Sequence, residues 1–570
     1  MKILTKLNVL ILACLALNQC FGEITDEQLI QNAKKMEQIM QNCMKNMKIP
    51  GATFSLARKG KELHFFTIGK TTIDSNFPIE VDSKTLFPIS SVSKNITAIL
   101  VGILVDEGKL SFDDKVRKYV PTFFVCNEEL SNEFTVLDLI SHRSGFKHFS
   151  ADSLFKAGYE NEKILGAFRY LKQKPGYFRK YYGYQNIIFG VVGTVIENAT
   201  GEKYEDLVQR HIFSKMGMTY SSAINLDAER SRFGYFKYLL SRFSHDKKKL
   251  GTLKAIFNIV TKSFKHKPKN IVINHDRYIE TIRPIGNYDF FHKFPATSGI
   301  SLSAEDFAKW LSMLANKGTF NGQQIISKET FEKITSNITE IHNVKDDDVT
   351  FVKSRFVRDS LYYGAGIFKA KYADNGRNAH NILYHMGGIY GATAFFAVAP
   401  EDDLSVGVIC NLGGVSLTLF PEYMVNQFLD ICFGFSEIDW GQAEVNRKND
   451  FKQKQCEYHK DLSEKNPEPM EKIEQYVGTY ESDLYGKITI YHENGSLFIS
   501  NGIKKAKLSH VNGGIFSFPS KDILFIAFDD DEYASFFKDD YGNISKVYIS
   551  CFSENDTMFT KQRQSNTRLK

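Results

Sequence analysis

The sequence predicts a two-part protein: a large α/β (α+β) domain whose first and last strands share one sheet, then a small all-β domain, a barrel or sandwich. Three observations carry this. Strand pairs with turn signals stand at both ends of a stretch of about 400 residues, helical patterns fill the interval, and short alternating segments split by Gly-containing turns follow residue 473. The 570 residues are 43% hydrophobic and 24% charged, with 39 Gly and 13 Pro, which places the chain near the globular average. Collagen-like, mucin-like and mostly disordered chains are thereby excluded.

Residues 1–22 read as a secretory signal peptide: Lys2 and Lys6, an apolar run from Leu7 to Leu17 interrupted by Asn8, then small residues near Gly22. That run is well short of the ~20 residues that span a bilayer, so the expected location is extracytoplasmic, secreted or periplasmic. Of the eight cysteines, Cys14 and Cys20 fall in this leader. Cys43, Cys126, Cys410, Cys432, Cys456 and Cys551 remain, too sparse for a disulfide scaffold and without C-x-x-C spacing, and most are expected as buried thiols.

The large domain is expected over 23–445. Residues 27–47 have helical spacing and stop at Pro50-Gly51. Residues 52–58 and 62–68 flank Lys59-Gly60-Lys61 as a hairpin. From Ser91 to Glu107 the chain is apolar on nearly every face and ends at Gly108, the pattern of a buried helix with a glycine stop. Residues 393–398 and 404–410 form a second hairpin around residues 400–403. Residues 446–472 are charged, contain Pro467-Glu468-Pro469 and read as a short helix plus linker. From 473 to 570, short alternating runs separated by Asn494-Gly495 and Gly542-Asn543 describe the β-domain.

The formal charge of +6 falls to +4 without the leader, so no nucleic-acid partner is expected. The charge is uneven: residues 227–270 hold twelve basic and three acidic side chains interleaved with aromatics. A solvated insertion accounts for such a run, and contact with a membrane or cell-wall surface is the sharper alternative.

Several catalytic signatures are absent: H-E-x-x-H, G-x-S-x-G, the P-loop and a dinucleotide glycine loop. What remains is Ser91-Val92-Ser93-Lys94. S-x-x-K also occurs at Ser144, Ser153 and Ser244, but only Ser91 opens a long buried helix. Residues three apart share a helix face, so Lys94 projects back over Ser91. An amine held there loses hydration, its pKa falls, and it can serve as a base. The Ser91 N–H at the helix start can face an oxyanion. Tyr184-Gln185-Asn186, just before an apolar helical run, offers a third proton-handling group. His385-Met386-Gly387-Gly388 begins a strand in which two glycines imply close approach to the backbone.

In order and surroundings these pieces resemble the serine β-lactamase-like, penicillin-binding-protein-like hydrolase superfamily, nearest the class C β-lactamase, esterase and D-aminopeptidase branch. The resemblance covers most of residues 30–440 and includes TLFPISSVSK (85–94), VLDLISHRSG (136–145), FSKMGM (213–218), SGISLSAED (298–306) and YGAG (363–366). It implies an antiparallel sheet flanked by helices. It also implies acylation of Ser91, with Lys94 and Tyr184 moving the proton. Asn186 would hold the substrate amide or the lysine, His385 would occupy the place where many relatives have lysine, and Gly387 and Gly388 would line the substrate strand. The N–H groups of Ser91 and Gly388 would form the oxyanion hole. The tail YVGTYESDLYG (476–486) resembles a lipocalin-like β-barrel domain appended to such hydrolases.

One departure bears on substrate. Where β-lactam-processing relatives often carry Lys-Ser/Thr-Gly, this chain has His385-Met386-Gly387, losing a permanent cation and a hydroxyl. The expected activity is therefore hydrolysis of esters, or of amides such as D-amino-acid peptides, through an acyl-enzyme. A non-catalytic scaffold of the same fold and a β-lactamase or DD-peptidase are the alternatives. No metal or organic cofactor is implied, and His142 and Ser144 read as a helix end and turn.

Overall fold

The computed structural model describes residues 24–562 apart from 74–78, 224–271, 273–274, 279–280, 285–293, 343–354, 358–359, 390, 415–417, 465–467, 524–530 and 553–556. The leader at 1–22 and the basic stretch at 227–270 therefore lie outside the described residues.

Helix α1 (Asp26–Met47) begins in a capping box between Thr25 and Gln28 and ends at Lys48, whose φ of 51° closes the last turn. Its buried stripe, Leu29, Ala33, Met36, Met40, Met44 and Met47, recurs at three- and four-residue spacing. Strands β1 (Gly51–Arg58) and β2 (Lys61–Gly69) follow. Lys59 and Gly60 both have positive φ, 49° and 73°, the backbone of a type I′ hairpin turn.

Helices α2 (Ser93–Asp106), α3 (Asp152–Lys156), α4 (Asn186–Thr200) and α5 (Ala304–Ala315) come next. The rest of the sheet is β3 (Thr339–Glu340), β4 (Tyr362–Tyr363), β5 (Phe368–Asp374), β6 (Arg377–Ile389), β7 (Ala392–Ala399) and β8 (Leu404–Cys410). The eight strands are ordered β2-β1-β8-β7-β6-β5-β4-β3. The two hairpins thus meet: β1 runs antiparallel to β8, with Ala52 opposite Cys410 and Arg58 opposite Leu404. Strands β1, β7 and β8 are buried along their whole length, because α5 packs on one face while helix α6 (Phe420–Phe433) packs on the other.

Two expectations are corrected. Most of the segment read as a short helix and linker is one helix, α7 (Trp440–Glu464), of 25 residues. Its Lys, Gln, Glu and Arg residues are good helix formers, and its first turn is anchored where Trp440 Nε1 donates to Asp430 at 2.9 Å. Cys43, Cys126, Cys410, Cys432 and Cys551 are all unbridged, but only Cys410 is fully buried. The other four are small side chains in partly covered positions.

Beyond α7, eight strands from Gly478–Ser482 to Met558–Lys561 follow one another around a closed barrel, the last pairing with the first. Asn494 (φ 49°) and Gly495 (φ 75°) form one of its hairpin turns. Closure removes the exposed edges that a small sheet would otherwise present. Its interior residues belong to the same continuous apolar core as the helical part of the large domain.

Arg355, buried between β5 and α6, donates to Asp430 at 3.1 Å and to Asp374. Arg355→Met should leave the Asp430 carboxylate buried without its cation and destabilise the protein by about 3 kcal/mol, read as a lower urea midpoint. An unchanged midpoint would show that the ion pair contributes nothing net.

Candidate active site

Ser91 sits in a 3-10 turn, Ser90–Val92, that feeds α2. The helix proper starts at Ser93, two residues later than the sequence suggests. The turn is pinned on its approach: Phe87–Pro88 pairs with Ser301–Leu302, and the Ile89 N–H donates to the Ile300 carbonyl at 3.0 Å. Ser90 adopts φ 53°, a left-handed conformation costly for a non-glycine residue and sustained here by packing on all sides. Ser91 itself is only half-buried, so its hydroxyl can be reached.

Helix α2 is buried on every face through its first three turns, which carries Lys94 inside the domain. Lys94 Nζ lies 3.0 Å from Ser91 Oγ and donates to Asn186 Oδ1 at 2.8 Å. It stands 4.8 Å from the centre of the Tyr184 ring and 5.6 Å from that of Phe189. Burial pushes its ammonium well below the usual lysine range, opposed by the Asp152 carboxylate. Burial pushes the Tyr184 phenol up, partly offset by the nearby Ser91 side chain, so it stays protonated at neutral pH. A weakly basic amine and a neutral phenol therefore converge on one serine hydroxyl. Such an arrangement can activate a serine as a nucleophile.

Asn186, the first residue of α4, links Lys94 to a group the sequence reading missed: its Nδ2 donates to Asp152 Oδ2 at 2.6 Å. No motif marks Asp152. It reaches the site because Ala151, at φ 71°, turns the chain immediately before α3.

His142 is the second omission. It has φ 53°, as a turn residue should, yet its buried ring packs tilted against two others, its centre 4.2 Å from that of Tyr184 and 4.7 Å from that of Tyr363. Its Nδ1 accepts from the Gln185 N–H at 3.2 Å, and His148 Nδ1 accepts from the Tyr184 N–H at 3.0 Å. Two imidazoles thus hold the backbone that presents Tyr184. The H-x-x-G spacing of His142 and Gly145 was the available signal. Ser144 accepts from the Phe146 N–H at 3.3 Å, as a turn residue does.

On the opposite wall, β6 presses against the serine turn. A Cβ on Gly387 would fall 2.1 Å from the Ile89 carbonyl oxygen and 3.0 Å from the Ser91 nitrogen, so glycine is what permits this approach. Strand β5 pairs with β6 only as far as Tyr384, leaving one edge of residues 385–389 without a strand partner among the described residues. Gly388 is half-buried on that segment.

The expectation that His385 contacts substrate is corrected. Its side chain is fully buried, with both ring nitrogens engaged: Nδ1 donates to the Met386 carbonyl at 2.6 Å, and Nε2 accepts from the Tyr363 hydroxyl at 3.1 Å. Burial and the nearby Lys94 lower its pKa to about 3. An uncharged imidazole therefore stiffens the wall behind the strand. Among the described residues no cluster of metal-ligating side chains occurs.

Comparisons with known proteins place the chain in a family. The family model described as Beta-lactamase matches residues 36–417. The chain belongs to the beta-lactamase family. Within this serine hydrolase family, protein flp of Staphylococcus aureus (strain N315) is 23% identical over 402 residues, covering 70% of this chain and 66% of its own length. Penicillin-binding protein 4* of Bacillus subtilis (strain 168) is 25% identical over 215 residues, 36% of this chain and 46% of that protein. The chain thus spans less than two thirds of the length of either relative. Among solved structures, the octameric penicillin-binding protein homologue from Pyrococcus abyssi is similar in fold, with a TM-score of 0.51 at 19% identity, covering 93% of this chain and 100% of that one. A second model, a domain of unknown function (DUF3471), matches 462–566, the barrel and the end of α7.

Gly387→Ala would drive a methyl group into the Ile89 carbonyl. Because a displacement of an ångström at such a site costs about 100-fold in rate, kcat/KM for an ester should fall by roughly that factor while the fold persists. Retained activity would show that β6 does not position the serine turn.

Proposed function

We propose that this family member is an active extracytoplasmic serine hydrolase that cleaves carboxylic esters, or amides such as D-amino-acid peptides, through an acyl-enzyme on Ser91. The supporting observation is the 3.0 Å contact between a buried amine and the Ser91 hydroxyl. In the proposed first step Ser91 Oγ attacks the substrate carbonyl carbon and its proton passes to the neutral Lys94 amine. The oxyanion faces the N–H groups of Ser91 and Gly388. Collapse breaks the bond to the leaving alcohol or amine, which receives the proton through the Tyr184 hydroxyl. Water then attacks the ester on Ser91, releasing a carboxylic acid and restoring the serine.

Charge supports a substrate that is not anionic near the reacting bond. His385 stands uncharged where β-lactam-processing relatives often have lysine, and Asp152 adds a carboxylate behind Asn186. The His385 side chain therefore offers a substrate carboxylate no cation. The leader at 1–22 supports an extracytoplasmic location, and the basic stretch at 227–270 is the segment we assign to contact with an anionic surface.

A fluorophosphonate should add one phosphonyl group to the intact protein, and Ser91→Ala should abolish both the adduct and ester turnover. Lys94→Ala should slow adduct formation by on the order of 100- to 10,000-fold. A wild type that never acquires the adduct, under conditions where a known serine hydrolase does, rejects the proposal. A neutral chromogenic ester should be turned over faster than a cephalosporin or a D-Ala-D-Ala peptide, and the reverse order would reinstate a β-lactamase or DD-peptidase.

A further inference from the structure

The acyl-transfer scheme gives Asp152 no task, yet its carboxylate is 4% exposed and ends a hydrogen-bonded line to the nucleophile. The line runs from Asp152 Oδ2 to Asn186 Nδ2 at 2.6 Å, from Asn186 Oδ1 to Lys94 Nζ at 2.8 Å, and from Lys94 Nζ to Ser91 Oγ at 3.0 Å. A negative charge so placed favours the ammonium form of a buried lysine. The other groups facing Lys94 do not share that role. The Tyr184 phenol is neutral, and His142 and His385 are kept uncharged by burial and would repel the ammonium if protonated.

The far side of the segment that carries Asp152 is the C-terminal barrel. The barrel turn Ser550–Phe552 packs on α3. A few residues on, the buried Tyr159 hydroxyl donates to the Tyr485 carbonyl of the barrel at 3.3 Å. Lys163 Nζ lies 3.4 Å from the centre of the Tyr159 ring, and a Cβ on barrel residue Gly486 would come within 3.3 Å of that same Nζ. Leu154, Ala157, Tyr159, Tyr485 and Phe552 belong to one apolar core. The segment is therefore backed by the barrel on one side and reaches the catalytic lysine on the other.

We infer that Asp152, held against Asn186 by the docked C-terminal barrel, is a positioning residue that sets the proton state of Lys94 and so the pH range in which Ser91 is acylated. This rests on the acyl-transfer reading above. The sign follows from the charges. Asp152 opposes the desolvation of Lys94, so removing its charge makes the ammonium more acidic, and the free amine appears at lower pH.

The experiment uses the full-length protein and follows fluorophosphonate labelling of Ser91 against pH by intact mass. Asp152→Asn keeps an oxygen acceptor for Asn186 and should move the acidic limb of the profile down by about one pH unit or more. Titration of Lys94 by NMR of its Cε–H group in a Ser91→Ala background should show the same shift independently of activity. Should Asp152→Asn not fold, Asp152→Ser removes the charge with less bulk and is titrated in the same way. Tyr159→Ala, which loosens the barrel, should shift the limb in the same direction by less. Coincident Lys94 titrations with and without the Asp152 charge overturn the inference, and an unmoved limb in Tyr159→Ala overturns the part assigned to the barrel. If wild type does not label at any pH, the acyl-transfer reading fails, while the Lys94 titration still decides the role of Asp152.

Discussion

The structure depends on keeping an amine out of water. Lys94 is fully buried, and the effective penalty for burying an ammonium is several kcal/mol even after relaxation. Three arrangements reduce it without removing it. Nζ donates to Asn186 Oδ1 at 2.8 Å, lies over the Tyr184 ring, and feels the Asp152 carboxylate from beyond Asn186. The residual imbalance is useful because it leaves the amine weakly basic beside a hydroxyl. A surface lysine at the same S-x-x-K spacing would remain protonated and could not accept the serine proton.

That requirement reaches outward into the fold. Burying Lys94 needs a helix wrapped on every side, and a large domain can supply the short helices Pro295–Ser298 and Lys328–Ile334 that pack on α2 here. It also needs the serine turn pressed against the sheet. The left-handed φ of Ser90 and the glycine at 387 are the local costs of that approach. With β5 ending its pairing at Tyr384, the strand beside Ser91 keeps one edge without a strand partner among the described residues.

Local patterns were legible in the sequence and distant convergence was not. The hairpin at Lys59-Gly60 and the Asn494-Gly495 turn announce themselves because a type I′ turn demands particular residues at two adjacent positions. The buried character of α2 follows from a run without a polar face. Ser91, Lys94 and Tyr184 were reachable because helical spacing joins the first two and position in the chain selects the third. Asp152 was not, since it lies 34 residues from Asn186 and on a helix of five residues with no pattern of its own. His142 was read as a turn residue, and its backbone is one. Its ring faces Tyr184 and Tyr363 only because the sheet and α4 bring chain segments more than 40 residues apart to the same point. Pro467-Glu468-Pro469 signals a linker across 446–472, yet a proline constrains only its own neighbourhood and the helix-forming residues before it continue as α7 to Glu464.

The uncharged state of His385 belongs to the charge arrangement around Lys94. A protonated imidazole at that depth would face Lys94 across a dry interior. The tautomer held by the Met386 carbonyl and the Tyr363 hydroxyl removes this repulsion. Lys94 has Asp152 as its charged counterpart, and its Nζ lies over the rings of Tyr184 and Phe189. Such a site is electrically self-contained. The carboxylate of that pair sits on α3, which the barrel turn Ser550–Phe552 packs from outside.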